Sequence, residues 1–98
     1  MKNSFQQLNK AFDNKVRLGI MSILSVNTRV SFNYLKEALE VTDGNLASHL
    51  KALEREDYIA VNKRFKNRKP NTTYEITPSG STAFDSHIKA LEDILKQL

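Results

Sequence analysis

Residues 63–69 read Lys-Arg-Phe-Lys-Asn-Arg-Lys, five cations without an anion. Residues 71–98 carry Glu75, Asp85, Glu92 and Asp93 against only Lys89 and Lys96, so the positive field is local. A concentrated cationic patch suits a polyanion, because neutralising phosphates releases condensed counterions and draws a protein to a duplex. A solvated loop that only aids solubility has the same composition, and the patch alone leaves both readings open. The segment before it discriminates between them. If residues 43–55 are helical with Leu46 at the centre of the buried face, Gly44, Ser48, Lys51 and Arg55 turn outward at about 100° per residue, flanked by Asn45 and Ala52. Small residues let a backbone approach base edges, Asn45 can bond adenine in a bidentate manner, and Ser48 can reach several base edges. Lys51 and Arg55 suit phosphates. His49 lies beside the buried stripe, where a contact and a half-buried structural place are equally open to it.

Other chemistries find no residues to work with. There is no cysteine, hence no disulfide framework, thiolate metal site or thiol nucleophile. The three glycines, Gly19, Gly44 and Gly80, are too scattered to make a phosphate loop, and two histidines with dispersed carboxylates suggest no triad or acid–base pair. An enzyme is not expected, nor a cofactor. No apolar run approaches the roughly 20 residues needed to span a bilayer, and the opening Met1 to Gln7 has no apolar signal core. Cytoplasmic residence is the simplest expectation. The 98 residues, with a net charge of +4, make one domain with a small core, for which oligomerisation is a natural further source of stability.

The candidate side chains need elements to hold them. Phe5, Leu8 and Phe12, then Val16, Ile20, Ile23 and Leu24, lie at helical spacing, predicting one helix or two with a break at Asp13-Asn14. Arg29-Val30 reads as a stub of strand. Ser31 can cap a second helix that buries Phe32, Leu35 and Leu39, and that helix would open at Ser31 to Asn33 with backbone amides free to hold a phosphate. After a turn at Glu40-Val41, Thr42 caps a third helix whose buried stripe is Leu46, Leu50 and Leu53 and which runs to about Asp57. The period then changes to two. Ile59, Val61 and Phe65 alternate with Ala60, Asn62 and Arg64 as a half-buried strand, residues 67–71 form a basic loop, and Thr72, Tyr74 and Ile76 lie on a return strand. Thr77-Pro78 restarts a helix. There Phe84, Ile88, Leu91, Leu95 and Leu98 recur at steps of 4, 3, 4 and 3, the spacing of a two-stranded seam.

In this order, Val30 to Lys36, Val41 to Glu54, Tyr58-Ile59 and Thr73 to Gly80 resemble the winged-helix transcriptional regulators related to MarR and ArsR proteins, particularly the small single-domain group whose recognition helix opens Thr-Asp-Gly-Asn-Leu. The resemblance covers about residues 14–84. It implies a mainly α fold with a small β-hairpin (α+β), a winged helix-turn-helix with recognition helix at about 43–56, wing at about 58–76 and C-terminal dimerisation helix at about 78–98. It also implies a homodimeric repressor that sets two recognition helices about 34 Å apart on a pseudo-palindromic double-stranded DNA operator. The candidate DNA contacts are then Ser31, Asn33, Thr42, Gly44, Asn45, Ser48, His49, Lys51 and Arg55, with Lys63, Arg64, Lys66, Arg68 and Lys69 of the wing. Arg68, nearest the tip, suits a narrow A·T-rich minor groove. The candidate dimer contacts are Phe5, Leu8 and Phe12 with Phe84, Ile88, Leu91, Leu95 and Leu98. Asp57 stands where such proteins commonly have glycine, a position aspartate tolerates better than most residues. Asp85-Ser86-His87 looks like half of a metal site of some ArsR relatives, but no later histidine completes it, so no metal is expected and His87 is assigned to the interface or surface. A small-molecule effector is compatible but unspecified. The competing class is a protein-interaction module whose basic loop docks an acidic partner; the small, polar outward face of the third helix favours a groove instead.

Overall fold

Five polar side chains decide where the helical segments begin: Asn9, Asn14, Ser31, Thr42 and Thr77 each accept a hydrogen bond from a backbone N–H of the first turn. Each satisfies a donor that the helix itself leaves free. The computed structural model describes residues 2–98. The elements are α1 (Lys2–Gln6), a 3-10 turn (Lys10–Phe12), α2 (Lys15–Ser25), β1 (Val30–Ser31), α3 (Phe32–Leu39), α4 (Asp43–Arg55), β2 (Ile59–Lys66), β3 (Lys69–Ile76) and α5 (Pro78–Lys96). The N-terminal region is therefore broken twice, at Asp13-Asn14 as expected and again before Lys10. The added break has a local cause: the Asn9 side chain accepts from Ala11 N–H at 2.9 Å and competes with continuation of the helix.

The three antiparallel strands lie in the order β1-β3-β2, with the stub β1 paired through Val30 to Tyr74 and Ser31 to Thr73. Against this sheet lie α2, α3 and α4. Ile20, Met21, Leu24, Leu35, Leu46, Leu50 and Leu53 are fully buried, and Val30, Ile59 and Tyr74 complete the core from the sheet. Burial of one such side chain is worth about 1.5–3 kcal/mol, so the inner stripe of α4 is what holds its outer face in place.

Two turns fix the angles around α4. Before it, Glu40 takes a left-handed conformation (φ 53°) and Lys36 bonds Asp43 at 2.8 Å across the turn. After it, Asp57 is left-handed (φ 61°), with Asp57 N–H donating to Glu54 O and Tyr58 N–H to Leu53 O. That is a Schellman ending, and it stops the helix at Arg55 rather than near Asp57. The glycine-type position expected at Asp57 is thus real. Thr77 then closes the unit: its N–H donates to Tyr58 O and its hydroxyl to Asp57 O, tying the start of α5 to the end of α4. Gly80 is needed at this crossing, because a Cβ there would overlap the Tyr58 carbonyl.

The wing departs from expectation at its tip. Residues 67–71 are not a loop; Asn67 and Arg68 alone form the turn, both left-handed (φ 53° and 65°), and β3 already begins at Lys69. Left-handed conformation at both central residues is the two-residue hairpin turn whose twist matches the strands. Pro70 fits in the strand for a geometric reason. Lys66 and Lys69 close the hairpin, so the next pair, Phe65 and Pro70, is a non-hydrogen-bonded one, and the missing N–H costs no ladder bond.

Candidate nucleic-acid interface

The outward face of α4 is laid out as the helical spacing predicts: Gly44, Asn45, Ser48, Lys51 and Arg55 are all exposed, while Ala52 is half-buried. A Cβ added to Gly44 would meet nothing within 4 Å, so the chain's own packing does not require glycine there. Thr42 is exposed but has its hydroxyl oxygen committed, accepting from Asn45 N–H at 3.2 Å; the hydroxyl proton remains available to an acceptor.

His49 is set apart from these residues. It is half-buried, and its Nδ1 accepts from Nε of Arg17 at 3.0 Å. Burial, and secondarily the Arg17 guanidinium, hold its pKa below the ordinary value. The imidazole is therefore a neutral acceptor that fastens α4 to α2. Arg17 had no signal in the sequence, since its separation of 32 from His49 carries no periodic relation. The pairing exists only once α2 and α4 are packed.

The start of α3 faces the wing across a concavity of about 290 Å³ lined by Ser31, Asn33, Lys63 and Pro70, among others. Ser31 is half-buried and caps Tyr34 N–H at 3.0 Å, whereas Asn33 is exposed. Beyond them Lys63, Arg64, Lys66, Arg68 and Lys69 are all exposed. A helix N-terminus, an amide side chain and a lysine around one concavity are suited to an anionic oxygen. Phe65 breaks the expected pattern: it is 79% exposed rather than half-buried, because the hairpin has run past the edge of the core.

At the other end of the molecule the expected seam divides. Phe12 and Phe84 are buried in this chain's own core, edge-to-face at 5.5 Å, and Phe12 also meets Tyr58 and His87. They are not free to line a dimer interface. The 4-3 spacing records that α5 has an apolar face, and its first turns are covered by the chain itself. Leu8, Ile88 and Leu91 are half-buried, while Phe5, Leu95 and Leu98 are 66%, 68% and 85% exposed. An apolar cleft of about 530 Å³ opens here, with Phe5, Leu8, Leu18 and Leu91 in its walls. His87 is not a surface residue either: it is buried, and its Nδ1 accepts from Asn9 N–H at 3.0 Å. Among the described residues no group of three or more His, Cys, Asp or Glu side chains is arranged to hold a metal ion, and no helix is long and apolar enough to cross a membrane.

Three packed helices, the third with a polar outer face, followed by a basic hairpin, define a winged helix-turn-helix. The chain belongs to the winged helix DNA-binding domain family, which residues 16–95 match. It is 36% identical over 89 residues to an uncharacterised protein of Methanocaldococcus jannaschii, spanning 91% of this chain and 97% of that one. Among solved structures it resembles a transcriptional regulator homologue from Pyrococcus horikoshii OT3, with a TM-score of 0.89 and 30% identity over 99% of this chain and 97% of that one. It also shares its fold with S. aureus MepR, solved in complex with DNA, at a TM-score of 0.78 and 18% identity over 99% and 80% of the two chains. The resemblance to winged-helix regulators thus holds for both fold and family.

Proposed function

We propose that this protein is a homodimeric, sequence-specific double-stranded DNA-binding transcriptional regulator that represses by occupying a pseudo-palindromic operator. The observation that carries this reading is the outer face of α4, where exposed small and polar residues give way to Lys51 and Arg55. In this reading Asn45 and Ser48 meet base edges, Gly44 admits the close approach, and Lys51 and Arg55 bind phosphates. Ser31 and Asn33 at the start of α3 hold a phosphate beside Lys63, and Arg68 reaches toward the minor groove. That MepR was solved on DNA supports the same kind of partner. The second copy is supported by Phe5, Leu95 and Leu98, large apolar side chains exposed at the end of the molecule that carries α1 and the last turns of α5. Two-fold symmetry in the protein is what a palindromic operator mirrors.

The test begins with duplexes selected from a random library by the purified protein, followed by fluorescence anisotropy on a selected and a scrambled duplex. Asn45→Ala with Ser48→Ala should narrow the gap between the two duplexes by about tenfold or more, since a good base contact discriminates by about 1–3 kcal/mol. Arg68→Ala should instead weaken both duplexes together and lower the salt slope by about one. If the double variant keeps the parental preference, base reading by α4 is wrong.

A further inference from the structure

The wing carries an aromatic ring that the core does not use. Phe65 lies on the same face of β2 as Ile59, which is buried, and Val61, which is half-buried, yet it is 79% exposed. Its cross-strand neighbour is Pro70, the last pair before Lys66 and Lys69 close the hairpin. A non-hydrogen-bonded pair brings its side chains closer than the alternate kind does, so ring and pyrrolidine stand together as one apolar knob. Lys63 stands two residues before it on the same face, Arg64, Lys66 and Lys69 line the opposite face of the ribbon and Arg68 sits in the turn, all exposed. Seating that knob against another protein's apolar surface would bring Lys63 and the cationic turn beside it into a desolvated contact. A duplex asks for no such sacrifice, because its phosphates lie outside and its apolar base faces lie between them. The tight turn at Asn67-Arg68 adds rigidity where a wedge needs it.

We propose that Phe65, backed by Pro70, is a wedge that enters a base step through the minor groove and kinks the duplex beneath the wing, while the neighbouring cations hold the phosphates on either side. This inference rests on the DNA-binding reading above. An apolar side chain inserted in this way partly unstacks the step and bends DNA by about 20–90°. Pyrimidine–purine steps yield most readily. The wing therefore adds a preference for a deformable step at a position where no polar side chain reads a base, separate from the contacts of Asn45 and Ser48.

The experiment uses the selected duplex, labelled at its ends with a donor and an acceptor dye and carrying 2-aminopurine at the step beneath the wing. The parent should raise transfer efficiency and 2-aminopurine emission together. Phe65→Ala should lose both signals and bind about tenfold more weakly, as expected for loss of one aromatic–base contact, with its melting temperature unchanged because the ring is exposed. Phe65→Leu should keep most of the bend, since the wedge has to be apolar rather than aromatic. A duplex that stays straight with the parent, or is bent equally by Phe65→Ala, overturns the wedge and leaves the DNA reading intact. A parent that binds no duplex overturns both.

Discussion

Helices α4 and α5 carry apolar stripes of similar spacing, and the two stripes meet different fates. In α4, Leu46, Leu50 and Leu53 are 0%, 1% and 0% exposed. In α5 exposure climbs along the helix, from Phe84 at 6% through half-buried Ile88 and Leu91 to Leu95 at 68%, and Leu98, two residues past its end, is 85% exposed. The difference lies in what each helix rests on. α4 packs on α2 and β2, both anchored in the core. α5 is 19 residues long and leans on α1, which has five, and on a 3-10 turn of three. A periodic stripe declares that a face wants cover; it does not say which chain supplies it.

Substitutions along the two stripes should therefore act on different equilibria. Leu50→Ala should lower folding stability by about 2–5 kcal/mol, the cost of a cavity in a core that cannot collapse, read from urea or thermal unfolding. Leu98→Ala should change stability by less than about 0.5 kcal/mol, as an exposed site does. If the two cost the same, the contrast between the helices is false. The next effect in size belongs to assembly. Leu95→Asp with Leu98→Asp should leave the fold intact, shift sedimentation from dimer to monomer at micromolar concentration, and weaken operator binding by about a hundredfold through lost bivalency. A parent that is already monomeric would show that no second copy covers α5.

How legible these regions were follows from the range of the forces that shape them. The caps Ser31, Thr42 and Thr77, the stripe of α4 and its outward residues are set by neighbours within one or two turns, and the sequence reading located them correctly. The positive φ at Asp57 was legible only through the resemblance, which sets glycine at that position. The rest depended on tertiary reach. Phe12 and Phe84 were assigned to a partner because helical spacing cannot rank one's own core against another chain's. Phe65 was assigned a half-buried place because strand alternation does not reveal where the core beneath a hairpin stops. Arg17 and His87 were missed or misplaced because their partners, His49 and Asn9, lie 32 and 78 residues away.

On the far side of α4, Gly44 offers a sharper contrast than any leucine, because protein stability and DNA binding should move in opposite directions. Nothing in the chain fills the space around it, and alanine forms helix better than glycine by up to about 1 kcal/mol. Gly44→Ala should therefore raise the melting temperature slightly while weakening binding to the selected duplex, since the added methyl stands where the groove must approach. A variant that gains stability and keeps parental affinity would move the close approach away from the start of α4.

The covered end of α5 offers the smallest effect, and pH reads it. His87 is buried with its ring against Phe12, and its Nδ1 accepts from Asn9 N–H, so this nitrogen must be unprotonated in the folded chain. Burial lowers its pKa below the ordinary 6.5, and the nearby Asp13 acts in the opposite sense more weakly. The unfolded chain consequently takes up the proton first. Stability from this group is complete above pH 6.5 and is lost as pH falls through the lower folded value. Protonation would set two donors against each other at Asn9, whose side chain also bonds the Tyr58 hydroxyl, and would loosen the joint between the 3-10 turn and α5. His49 has a lowered pKa too and adds to the parental slope, so the comparison is made on single variants. His87→Gln keeps an acceptor for Asn9 in any protonation state and should flatten the melting-temperature profile between about pH 7 and pH 5. His49→Gln should leave the His87 share of the slope in place. A His87→Gln profile as steep as the parental one would mean that His87 is not held neutral by the fold.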